Sequence, residues 1–110
     1  MLKLKCEKDR LVLFQDKAEL SFEISDKKYV DVIRKNIASF IGECEVSVEK
    51  KSDRRNYLIL SGAMGKFGSS GKELVKKATK IVVPDSVAYE ISSRMLLLNK
   101  TLKVPERNDE

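Results

Sequence analysis

Residues 18–48, AELSFEISDKKYVDVIRKNIASFIGECEVSV, change their apolar period twice, and that double change decides the fold. Ala18, Leu20, Phe22 and Ile24 alternate with Glu19, Ser21 and Glu23, the period of two of a half-buried strand. From Ser25-Asp26 onward the spacing lengthens. Val30, Ile33, Ile37 and Ile41 recur every three or four residues with Phe40 beside them, one apolar face of a helix. Either Ser25 or Asp26 supplies the N-cap, and Gly42 supplies a left-handed residue to end the helix. Period two then returns, with Cys44, Val46 and Val48 on one phase and Glu43, Glu45, Ser47 and Glu49 on the other.

Toward the N-terminus, Leu2, Leu4 and Cys6 alternate with Lys3, Lys5 and Glu7, and a short apolar run, Leu11–Phe14, follows a turn at Lys8-Asp9-Arg10. Connections this short do not allow parallel crossovers, so these strands and the one from Ala18 predict an antiparallel meander. Toward the C-terminus, the polar run 50–56 reads as a loop before the strand Tyr57–Leu60. Residues 61–73 hold four of the five glycines and predict a mobile surface loop. Leu74, Val75 and Ala78 fit either a short helix or a strand running through 74–83. Pro84-Asp85-Ser86 opens a second helix whose apolar face is Val87, Ala88, Ile91, Met95 and Leu98, widened by Leu96 and Leu97, with Asn99 as its stop. Residues 105–110 have nothing to bury and predict a flexible polar tail.

The expectation is one α+β domain over residues 1–104, without internal repeat. It has a mainly antiparallel sheet of five to six strands, with two or possibly three helices packed on one face. The chain's 110 residues are one domain's worth. With no Trp and 6% aromatic residues, the core falls to Ile, Leu and Val. No run approaches the roughly 18–20 apolar residues of a membrane span, and the alternating N-terminus lacks the apolar block of a signal peptide. A cytoplasmic protein is expected. Cys6 and Cys44 both fall on apolar strand phases, which predicts buried reduced thiols.

The chain has no histidine. That removes the commonest general base and zinc ligand, and with them every Ser–His or Cys–His nucleophile pair. The carboxylates Glu19, Glu23, Glu43, Glu45 and Glu49 fall on exposed strand phases, without the buried pairing that acid–base chemistry or magnesium binding requires. No enzyme, cofactor or metal is expected. The glycine segment does not match a P-loop either, since Glu73 stands where a Ser or Thr would hold magnesium. Gly65-Lys66-Phe67-Gly68, followed by Lys72-Glu73-Leu74 and Ile81-Val82-Val83-Pro84, resembles over about 20 residues the glycine loop, helix and strand of a KH RNA-binding domain. In that family the loop grips the nucleic-acid backbone. The helix that precedes the loop there has no counterpart here, and Gly71 replaces an apolar core residue. The resemblance is one of loop chemistry and does not extend to membership.

Charge is distributed unevenly. Residues 50–80 hold nine basic and two acidic residues, a net of +7 in a chain of net +5, so the remainder is slightly acidic. A segment of that kind attracts polyanions through counterion release. The leading expectation is a small non-enzymatic nucleic-acid-binding or regulatory domain. Its phosphate contacts are Lys50, Lys51, Arg54, Arg55, Lys66, Lys72, Lys76 and Lys77, with Phe67 stacking on an unpaired base. RNA or single-stranded DNA is favoured, because no recognition helix for a major groove is visible. The alternative is a protein-interaction module, an adaptor or inhibitor and possibly a homodimer, using a sheet edge or the last helix. Leu96, Leu97 and Leu98 cannot all face one core. Ordinary solvated surface also accounts for the basic segment.

Overall fold

A computed structural model describes residues 1–68 and 71–103; the side chains of residues 66–68, 72 and 103, and the expected tail at 105–110, lie outside that description. Strands β1 (Lys3–Glu7), β2 (Arg10–Gln15) and β3 (Ala18–Phe22) form the expected meander, and helix α1 (Lys27–Ile37) follows. A second meander, β4 (Ile41–Lys50), β5 (Asn56–Gly68) and β6 (Gly71–Val83), is followed by helix α2 (Asp85–Lys103). All six strands join one antiparallel sheet in the order β3-β2-β1-β4-β5-β6. The order is symmetric about the β1–β4 pair, so the chain is two βββα units side by side. The repeat is one of topology, which a sequence comparison of the halves does not show.

Register explains the core. Leu4 lies opposite Leu13 and Cys44, Leu13 opposite Leu20, Val46 opposite Leu60, and Leu58 opposite both Val48 and Ile81. This apolar phase forms one buried cluster with Val30 and Ile33 of α1 and with Val87, Ile91 and Leu98 of α2. Each such side chain taken fully out of water contributes about 1.5–3 kcal/mol.

Asp26 caps α1, its carboxylate accepting from the Lys28 N–H at 3.3 Å. The helix ends at Ile37, four residues before the position that spacing alone predicts. Ala38, Ser39 and Phe40 leave it through a tight turn in which the Phe40 N–H donates to the Ile37 carbonyl at 3.0 Å. Ile41 therefore belongs to β4 and is 46% exposed. Gly42, with φ of +82°, sits where the β4–β5 register shifts between Ile41 and Glu45, not at a helix end. The reason is Phe40. Its ring packs against Gly62, where a Cβ would come to 3.0 Å from it, and burying that ring overrides the helical spacing of Ile41.

The glycine-rich stretch also departs from expectation. Residues 61–68 continue β5 and residues 71–83 are all β6, paired without a break from Asn56–Val83 to Gly68–Gly71. A hairpin of two 13-residue strands replaces the mobile loop over 61–73, the short helix over 74–78, and the KH-like loop and helix. The last helix runs on past Asn99 to Lys103, with Leu102 half-buried against the core and the Thr101 hydroxyl donating to the Leu97 carbonyl at 3.1 Å. It is tied at its start by Asn56, which donates to Asp85, and in its first turns by Glu90, which accepts from the Ser25 hydroxyl at 2.6 Å. Leu98 is buried, whereas Leu96 and Leu97 face solvent.

Candidate nucleic-acid interface

Beyond the row in which Ile41 pairs with Ala63, the β5–β6 hairpin has no third strand among the described residues. Five further pairs, from Met64–Val75 to Gly68–Gly71, extend it as a free two-stranded ribbon. At about 3.4 Å per residue this is roughly 17 Å of arm. The protein's principal dimensions are 60, 34 and 32 Å.

Four of the basic residues expected at the site belong to the ribbon or its base. Lys66 pairs with Glu73 and Phe67 with Lys72 in the free part, while Lys76 and Lys77 lie opposite Ala63 and Gly62 at the base. Lys66, Phe67 and Lys72 are placed by backbone alone, their side chains lying outside the described ones. The Lys76 ammonium is 3.5 Å from a Glu45 carboxylate oxygen. Lys77 is exposed and meets no carboxylate within ion-pair distance among the described residues.

Lys50 ends β4, opposite Asn56, and Lys51, Arg54 and Arg55 belong to the β4–β5 connection that follows, at the other end of β5 from the ribbon tip. Thirteen residues of strand put roughly 40 Å between that connection and the ribbon tip. The connection is closely hydrogen-bonded: the Lys51 N–H donates to the Arg55 carbonyl at 3.0 Å, and the Arg54 N–H to the Lys51 carbonyl at 2.9 Å. Arg54 adopts a left-handed φ of +68°. Asp53 accepts from the Arg55 N–H and from the Tyr57 hydroxyl, and the Arg55 N–H, above all, holds its carboxyl below the usual range. Lys51 is paired with Glu49 at 2.7 Å, which lowers the Glu49 pKa. The basic segment is thus two groups and not one patch.

Between them, the polar phase of the sheet is laced with opposite charges. Lys3 pairs with Glu43, Lys5 with Glu7 at 3.5 Å, and Lys76 with Glu45. Exposed pairs like these contribute little each. Among the described residues no group of three or more His, Cys, Asp or Glu is placed to hold a metal, and no helix is long and apolar enough to cross a membrane.

The ribbon itself is what a reading of the sequence misses. Its signal is there in retrospect: Leu58, Leu60, Gly62 and Met64 continue in period two, and Gly68 and Gly71 bracket just two residues. Both thiols are free. Burial pushes the Cys44 thiol up to about 11 against the opposing hydrogen bond from the Ser61 backbone, and burial also raises Cys6, outweighing Arg34. A raised pKa in the folded state means stability that is intact below about pH 8.5 and lost as pH climbs toward 11. Wild type should therefore lose its denaturation midpoint over pH 9–11 more steeply than Cys44→Ala. At pH 8 a thiol reagent should reach Cys44 only after unfolding.

No family model matches the chain, and neither a curated protein nor a solved structure matches it.

Proposed function

We propose that the chain is a non-enzymatic nucleic-acid-binding protein whose contact element is the β5–β6 ribbon, and that its ligand is duplex DNA. One observation carries this reading: a two-stranded arm projects beyond the sheet with Lys66, Lys72, Lys76 and Lys77 along it and Glu73 as its one acidic residue. A B-form major groove, roughly 12 Å wide, admits a two-stranded ribbon, whose backbones stand about 4.8 Å apart. Lysines on either strand then face the phosphates that flank the groove. The preference for single strands rested on the lack of a recognition helix, and the ribbon supplies a groove-entering element of another kind. In this reading both helices cover one face of the sheet, since their buried residues share a cluster with a single strand phase. The arm is left outside that layer.

The test is fluorescence anisotropy of the full chain with a labelled duplex, the corresponding single strand and an RNA hairpin, between about 50 and 300 mM salt. Micromolar duplex binding with a log–log salt slope of about −3 to −4 is expected, with weaker binding of the other two. No binding at the lowest salt would remove the function. Tighter binding of the single strand would remove the groove geometry.

A further inference from the structure

At the edge of the sheet away from the ribbon, β3 has no partner strand on its outer side among the described residues. A row of unpaired N–H and C=O groups is a template for an added strand, and natural edges are blunted with lysine, proline or a bulge. The β6 edge follows that practice, with Lys72, Lys76, Lys77 and Lys80 along it. β3, Ala-Glu-Leu-Ser-Phe, has none of the three. Gln15 and Ala18 flank a turn of two residues and form a hydrogen-bonded pair, so alternation sends the N–H and C=O groups of Glu19 and Ser21 outward. Beside this edge a groove of about 490 Å³ runs between β3 and the second half of α2. Its apolar walls include Leu20 and Leu97, and its charged residues are Lys17 and Glu19, one of each sign. Leu97 is 53% exposed there. Arg94 and Lys100 line a separate hollow over α2 and are no part of this surface.

The occupant follows from the pattern of residues 17–23, Lys-Ala-Glu-Leu-Ser-Phe-Glu. Laid antiparallel on itself about Leu20, the segment sets Lys17 opposite Glu23, Ala18 opposite Phe22, Glu19 opposite Ser21 and Leu20 opposite Leu20. Only this register pairs the whole of β3 with itself. A centre between two residues would set side chains of opposite sheet faces against each other. Centring on Glu19 sets Glu19 against itself, and centring on Ser21 sets it against Glu23. Like charges directly opposite are destabilising, so the charge pattern selects the same register as the strand length.

We propose that the occupant is a second copy of this chain. Two protomers pair β3 to β3 about a two-fold axis at Leu20, which joins their six-stranded sheets into one. Glu19 and Ser21 of each copy exchange both backbone hydrogen bonds with Ser21 and Glu19 of the other. The Ser21 carbonyl, which accepts from Arg10 at 3.2 Å, keeps a second lone pair for the incoming N–H. The same guanidinium donates to the Ser21 hydroxyl at 2.8 Å, so the arriving Glu19 carboxylate meets a cation. Leu20 of the second copy enters the groove on the side of Leu97. The interface is isologous, so each contact is made twice. It lies at the other edge of the sheet from the ribbon, and the proposal does not rest on duplex binding.

The test is sedimentation and amide hydrogen exchange of the full chain over roughly 1–300 μM, which brackets micromolar association. A concentration-dependent dimer is expected, with the Glu19 and Ser21 amides protected in the dimer and released on dilution. Lys17→Glu and Glu23→Lys should each weaken it at least about tenfold, since each turns two attractive pairs into two repulsive ones. Both positions are exposed, so both variants should keep the wild-type circular dichroism. An equimolar mixture of the two should regain wild-type association, because the acidic pair of one variant meets the basic pair of the other. The proposal is overturned if the chain stays monomeric throughout, if dimerisation protects β6 instead of β3, or if the mixture associates no better than either variant alone.

Discussion

With Lys66, Lys72, Lys76 and Lys77 all changed to glutamine, duplex affinity at about 0.1 M salt should fall roughly a thousandfold, and the salt slope should flatten by about three to four. The size follows from counterion release. Each phosphate neutralised contributes about 0.9 to the slope, which at 0.1 M salt is nearly a decade in affinity. Four contacts on one ribbon make a near-total loss. Glutamine keeps a polar side chain and removes the charge, and on β6 that charge has a second role. β6 is an edge strand of 13 residues with no bulge in its pairing to β5, and charge is what keeps such an edge from pairing with another copy. Sedimentation of the variant separates lost contacts from self-association. The control is Arg54→Gln/Arg55→Gln at the far end of β5, which should leave the slope within error of wild type. A turn variant that flattens the slope as much as the ribbon variant would move the contact to the turn.

What was legible in the sequence follows a physical line. Period two and period 3.6 appear where an element has to bury one face, so β1, β3, β4, α1 and the core face of α2 could be read directly. Leu4, Val46, Ile33 and Ile91 are all buried on the phases their spacing implies. Past the Met64–Val75 row, where Met64 still packs on the core, the ribbon's described residues Gly65, Gly71, Glu73 and Leu74 are exposed. Leu74, 62% exposed, needs no apolar neighbour at the next position, and without alternation the glycines look like a loop. The end of α1 was hidden for a different reason. Ile41 keeps the helical spacing, but Phe40 gains more by packing on Gly62, twenty-two residues away, than Ile41 loses by facing solvent. The two hairpins of the first meander turn through Lys8 and Asp16 at positive φ, without the glycine that normally announces such turns. Charge was legible as a count and not as a place. Nine basic residues in 31 make one segment on paper, and a single long strand carries its two ends roughly 40 Å apart. The groove beside Leu97 was visible only as the oddity of three successive leucines, because its other wall, Ala18 to Leu20, is some eighty residues distant in sequence.

Leu58→Ala should cost about 4 kcal/mol and lower the melting temperature by roughly 15–25 °C, the largest stability effect expected from a single side chain here. Leu58 is fully buried, stands opposite Val48 on β4 and Ile81 on β6, and belongs to the cluster that includes Val87 and Ile91 of α2. Truncation removes transfer energy and also leaves a void that strands held on both sides cannot close. The matched comparison is Val12→Ala. Val12 is just as buried, at 1%, but it lies on the polar phase beside Lys5 and Ser21 and outside the main cluster. The Lys5 stem and the Phe14 ring next to it can shift into the space, so the loss there should be about 1 kcal/mol. Of a typical domain stability of about 5–15 kcal/mol, the Leu58 variant keeps enough to fold at low temperature. Leu58 lies five rows into the body from the last row shared with β4, so duplex binding at 10 °C should match wild type while chemical denaturation shows the full loss. Equal costs at Leu58 and Val12 would mean that the two sheet faces are packed alike, and the assignment of one core phase would fall.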